Sequence, residues 1–224
     1  GNRAAGGLVN WLSYNWQWAG DLAATHLYLS ASAVVIAVLV AVPLGRLAFR
    51  FPKLGGALLS AATLIYAVPS LPLLFVVPIL IGTPLRSSTT IIAALALYGA
   101  ALLVRTAADA FNAVDPIVRD SAVALGYSRT RILWGVDLPL ATPVLVSGIR
   151  VVTVSTVGLV TIGALIGIPS LGTLLTDGFK RDIMAEVGTG IAATVLLALV
   201  LDAVVLLAGR VLTPWMRAVG RVAA

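Results

Sequence analysis

DPIVRDSAVALGYSRTRILWGVDLPLATPVLVSGIR, residues 115–150, is the polar interruption in a chain that is otherwise almost continuous apolar helix. It carries alternating charges, a glycine break and a proline stop. Asp115-Pro116 reads as a helix start, because Asp can cap free N–H groups and Pro fits the first helical turn. Ile117, Val118, Ser121, Ala122 and Leu125 then recur at helical spacing. Gly126 can take the left-handed geometry that ends such a helix. Ser128 can cap a second short helix over 129–136, which Leu138-Pro139 is expected to end.

Outward from this stretch, composition sets the class. The chain has 224 residues, 60% of them hydrophobic and only 11% charged, with a mean hydropathy of +1.05. That profile belongs to a polytopic membrane protein and excludes a soluble domain. The net charge of +6 would suit nucleic acid, but the basic residues sit at the ends of apolar segments. They read as a topology signal, with the lipid bilayer and no nucleic acid as partner. There are no cysteines, and the single histidine leaves little for a metal site. The chain opens on Gly1 without an initiator Met, so a processed or trimmed start is expected, and no signal peptide with a cleavage site is visible.

The expected organisation is an interfacial N-terminal segment (1–20), a transmembrane domain (21–212) and a tail (213–224). Trp11, Tyr14, Trp16 and Trp18 place the first segment at headgroup level. Spans are expected at about 25–47, 55–81, 88–111, 142–168 and 187–211, with a polar loop at 115–139. The second span carries Pro69, Pro72 and Pro78, which kink a helix. Residues 169–186 read as a loop or partial helix. One side of the membrane would collect Arg46, Arg50, Lys53, Arg119, Arg129, Arg131, Arg210, Arg217 and Arg221. The other would hold Arg3, Arg86, Lys180 and Arg181. Nine against four puts the 115–139 loop and the C-terminus in the cytoplasm and the N-terminus outside.

The spacing of the loop resembles the signature of ABC importer permeases: Glu-Ala-Ala, three residues, Gly, nine residues, Ile, one residue, Leu-Pro. The matching positions are Asp120-Ser121-Ala122, Gly126, Val136 and Leu138-Pro139. The Glu, one Ala and the Ile are replaced by similar residues. AVPSLPLL (67–74), ALYGAALLVRTA (96–107), LPLATPVLVSGIR (138–150) and IGIPSLGTLL (166–175) further resemble permeases of osmoprotectant importers, which carry glycine betaine, carnitine, choline or related quaternary amines. Ile168-Pro169 departs from a stretch that is glycine-rich in such relatives. The resemblance covers roughly residues 25–210.

It implies an all-α fold, the five-span core of a type I importer, in a bacterial or archaeal cell (inner) membrane. It also implies that the loop forms coupling helices seated on an ATPase subunit, with Asp120, Ser121, Ala122, Gly126, Tyr127, Arg129, Leu138 and Pro139 as coupling residues. Small residues there would let a partner approach closely. The implied complex has two permease chains, identical or related, two ATPase subunits and an extracytoplasmic binding protein. ATP and Mg would act on the ATPase, leaving this chain a non-enzymatic permease without cofactor. In agreement, neither Lys53 nor Lys180 follows a glycine, so there is no GxxxxGK[ST] phosphate loop. The implied mechanism is alternating access.

Arg150 and Asp202 lie in the fourth and fifth spans at similar depth, about 12–17 Å from the cytoplasmic end, so an ion pair within or between subunits is expected to offset their burial. Arg105 and Asp109 share a helix face and read as a local pair. Tyr66, Pro69, Ser70 and Tyr98 could line a pathway for a quaternary ammonium, which aromatic faces attract; ordinary packing around a structural kink explains them equally well. His26 reads as interfacial. The alternatives kept open are an importer of another zwitterion or amino-acid-like solute, or an ion-coupled secondary transporter using Asp202 or Asp109. Against the secondary transporter stands the absence of a visible inverted repeat. No HExxH or GxSxG motif supports an intramembrane enzyme.

Overall fold

The computed structural model describes residues 2–215, with side chains from residue 7 onward. Nine α-helices follow one another among these: α1 Asn2–Arg50, α2 Pro52–Ala67, α3 Ser70–Ile81, α4 Ser88–Asn112, α5 Pro116–Ala124, α6 Arg129–Ile132, α7 Leu138–Val160, α8 Leu171–Lys180 and α9 Met184–Leu212. A π turn, Leu133–Asp137, joins α6 to α7, and a 3-10 segment, Thr161–Ile166, extends α7. Arg217, Arg221 and most of the 213–224 tail lie outside the described residues.

α1 has 49 residues, about 70 Å at 1.5 Å each, far more than the ~30 Å of a bilayer core. No helix break falls near residue 20: the aromatic segment and the first span are one continuous helix. Ala19 and Leu22 pack on Leu171 and Leu174, with Trp11, Ala193 and Leu197 alongside, so this part of α1 leans on α8 and α9. The lower half of α1 owes its place to a run of small residues every fourth position. Ala33, Ala37, Ala41 and Gly45 are buried and meet α4, where Gly99 and Ala107 lie close to them. Small side chains let two helices approach in lipid, where dispersion contacts rather than water drive packing.

The expected second span, 55–81, is two helices bent by 114°. Pro69 has no N–H and drives Val68 out of the helical region, to φ −70° and ψ 125°. Pro72 falls in the first turn of α3, where its missing N–H is no loss, and Pro78 is carried inside the helix. Beyond the bend α3 no longer continues the direction of α2. Its Leu73, Leu74 and Val77 pack on Leu29, Ile91, Val160 and Ile168, at the end of the bundle opposite the 115–139 loop. Among the described residues four helical stretches are long and apolar enough to cross a membrane, five crossings if the bent pair is one.

α4 starts at a Ser87 cap whose Oγ accepts from Thr90 N at 3.2 Å. The expected partial helix within 169–186 is α8, opened by a capping box of Ser170 and Thr173. His26 is not interfacial. It is fully buried, with Nε2 2.9 Å from Val157 O and Nδ1 accepting from Leu171 N at 3.2 Å. One ring thus joins α1, the end of α7 and the start of α8.

Candidate functional site

The 115–139 loop is built from local chemistry. Asp115 Oδ1 accepts from Ile117 N at 2.8 Å and Pro116 opens α5. Gly126 stands at φ +80°, and Tyr127 N returns to Ala122 O at 3.0 Å, which closes the helix. Ser128 Oγ accepts from Arg131 N at 3.3 Å and starts α6. Leu138-Pro139 does not end this helix, contrary to expectation. The chain stays helical from Arg129 to Ile166. At the π turn Leu138 N donates to Leu133 O, five residues back. This widened register absorbs the missing donor at Pro139, so the fourth span begins at the loop itself.

Behind the loop stands a group that the sequence reading missed. Asp137 is fully buried. Its Oδ2 lies 2.5 Å from Arg46 Nη2 and its Oδ1 accepts from Arg119 Nε at 2.6 Å. Arg119 also donates to Val114 O at 3.1 Å and to Phe111 O. Both guanidinium groups sit against Phe49, Arg119 at 4.6 Å from the ring centre and Arg46 at 5.2 Å. One carboxylate therefore ties α1, the end of α4, α5 and the π turn together. Its signal in the sequence was a lone acid amid apolar neighbours, Val136-Asp137-Leu138, on a side rich in arginine.

The outer surface of the loop is an apolar ridge edged with charge. Ile117, Val118, Val123 and Leu125 are exposed, as are Asp120, Ser121, Gly126 and Arg129. Tyr127 is half-buried, with the Arg131 guanidinium 4.2 Å from its ring centre. Leu138 and Pro139 are half-buried in the turn. Ala122 points the other way, into a cluster with Phe111, Val114 and Leu145. Its small side chain seats α5 on its own bundle and leaves nothing for a partner to approach.

Elsewhere, Arg150 and Asp202 form a two-pronged pair within one chain. Nε and Nη2 donate to the two carboxylate oxygens at 2.7 Å each, which joins α7 to α9. Arg150→Gln and Asp202→Asn are each expected to lower the midpoint of thermal aggregation, with the double variant no worse than the worse single one. Additive losses would show that the two act separately. Arg105 and Asp109 make no ion pair among the described residues; Arg105 Nη2 reaches across to Thr63 Oγ1 at 3.3 Å instead. Tyr66, Pro69 and Ser70 lie at the α2–α3 corner, and the Tyr66 and Tyr98 rings are 5.1 Å apart. Among these, Tyr66 and Pro69 are exposed.

Comparison with known proteins adds five matches. A family described as binding-protein-dependent transport system inner membrane component matches residues 33–218. The chain is 32% identical over 197 residues to the osmoprotectant import permease protein OsmW of Salmonella typhimurium, covering 87% of this chain and 91% of that one. It is 32% identical over 191 residues to the choline transport system permease protein OpuBB of Bacillus subtilis, covering 84% and 86%. Among solved structures, an inward-facing form of the MetNI methionine ABC transporter superposes with a TM-score of 0.72 at 19% identity, covering 88% of this chain and 96% of that one. An amino acid ABC transporter solved with histidines gives 0.70 at 20% identity, covering 91% and 97%. At such identities the structural likeness speaks for the fold alone, and that fold is the type I importer permease.

Proposed function

The chain belongs to the family of binding-protein-dependent transport system inner membrane components, and on that premise we propose that it forms the pore of an ATP-driven importer of osmoprotectants. The solutes are quaternary amines such as glycine betaine, choline and carnitine, as the names of its relatives suggest. Two permease chains pair in the inner membrane, and two ATPase subunits bind ATP and Mg. A binding protein delivers solute at the opposite face. The 115–139 loop and the C-terminus face the cytoplasm, the side favoured by the arginine count.

The observation that carries this reading is the loop. It offers an exposed apolar ridge, held from behind by Asp137, where a partner's push would reach α1, α4 and α7 together. ATP-driven closure of the ATPase pair moves the loops of the two permeases and opens the pore outward; hydrolysis returns it. Nucleotide shifts this equilibrium only because the two states bind it with different affinity.

The test is uptake of labelled betaine, choline and carnitine into vesicles holding the chain with its ATPase and binding protein, with and without ATP. A Cβ at Gly126 would meet nothing within 4 Å; its φ of +80° strains any side chain, and Asp is among the residues that visit this region, at a cost of about 1–2 kcal/mol. Gly126→Asp should therefore leave the permease folded while ATP-driven uptake falls at least about tenfold, the effect of ~1.4 kcal/mol at the partner surface. Uptake driven by a proton gradient without the ATPase would overturn the importer. ATP-driven uptake of none of the three solutes would discard only the substrate class.

A further inference from the structure

Two clefts adjoin at the loop end of the bundle and share Pro43, Arg46 and Leu133. One, of about 440 Å³, is an apolar slot whose walls include Leu39, Val42, Phe111, Trp134 and Leu138. The other, of about 310 Å³, gathers Arg50, Arg129 and Thr130 beside Arg46. Arg46 is committed to Asp137. Arg50 and Arg129 are exposed and make no ion pair among the described residues.

The slot continues onto the open side of α1, where Val35, Ile36, Leu39 and Val40 are exposed. In a spanning helix such a face meets acyl chains wherever no second permease chain covers it. The arginines begin where this face ends, and Trp134, 68% exposed, lines the slot with Arg46, as indole rings do at headgroup level. A water-filled loop would need no apolar slot, and a lipid tail alone would need no arginines. A single molecule that satisfies both has acyl chains and a negatively charged head.

We propose that this composite site binds an anionic phospholipid, one acyl chain in the slot and the phosphate between Arg50 and Arg129, so that Arg129, which lines the cleft, serves the lipid and not the ATPase. The lipid then bridges the end of α1 and the start of α6, and bilayer charge acts on the loop that Asp137 holds. This inference rests on the membrane-spanning reading of the chain and not on its transport activity or solute.

The experiment follows tryptophan fluorescence of the purified full-length chain in phosphatidylcholine nanodiscs. These are doped with brominated phosphatidylglycerol or, at equal fraction, brominated phosphatidylcholine. The anionic lipid is expected to quench more. That excess should vanish in Trp134→Phe, fall about fivefold in Arg50→Gln, survive in Arg50→Lys, and fade at about 0.5 M salt. Equal quenching by both lipids, or an excess that persists in Trp134→Phe or Arg50→Gln, overturns the proposal. So does displacement by millimolar inorganic phosphate, which would make this a free-anion site, or by the ATPase subunit, which would make it a protein interface. Uptake is not read, so failure of the importer leaves this result standing, and the reverse also holds.

Discussion

Asp137→Ala is expected to abolish ATP-driven uptake and to destabilise the permease by about 3 kcal/mol, the low end for breaking a buried ion pair. The carboxylate is fully buried, whereas Arg46 and Arg119 keep 23% and 18% of their side-chain exposure, so water softens part of the loss. What remains are two guanidinium groups, both against Phe49, with no anion between them. Like charges at that distance repel, and α5 loses its tie to α1. Asp137→Asn keeps the shape and one acceptor but not the charge, so it should fall between wild type and Asp137→Ala. Arg119→Gln leaves Asp137 its Arg46 partner but takes the donors from Val114 O and Phe111 O, so it should cost about as much as Asp137→Asn. Thermal aggregation of the purified chain, with limited proteolysis across residues 115–139, reads the detachment directly. An Asp137→Ala chain that melts as wild type and still imports would remove the carboxylate from any role in transmission.

The charge lock shows where sequence reading stops. Caps at Asp115 and Ser128 and the left-handed Gly126 were legible because each works within a few residues of itself. The extents of α4 and α9 were legible because long apolar runs have few alternatives in a membrane. Asp137 was not, since Arg46 lies on another helix, and nothing in the spacing around Leu138-Pro139 announces that partner. Pro139 itself misled: proline usually marks a helix end, and only the π register of residues 133–137 shows how the helix continues through it. The 114° turn at Pro69 was underestimated as a kink, because sequence shows the lost hydrogen bond but not the direction taken after it. Arg105 and Asp109 show the reverse error: the right spacing on one helix gave way to a tertiary partner, Thr63.

The second large effect is expected at Gly45, where α1 lies against the backbone of α4. A Cβ there would stand 2.4 Å from Ala107 Cβ and 2.8 Å from the backbone N of Ala108, distances that no side-chain rotation relieves. Gly45→Ala should cost about 1–3 kcal/mol, the usual range for overpacking, and Gly45→Val more, with loss of the assembled permease from the membrane. Gly56 supplies the control, since a Cβ there meets nothing within 4 Å and Ala favours the helix by up to ~1 kcal/mol. Gly56→Ala should be neutral or slightly stabilising. Arg46 follows Gly45 directly, so pushing α1 outward also draws its guanidinium off Asp137. Gly45→Ala and Asp137→Ala together should then destabilise by less than the sum of the two, because the first already weakens what the second removes. Strict additivity would mean that the small-residue seam and the ion cluster hold α1 independently. In that case a push on the loop would stop at Asp137 and reach α1 by another route.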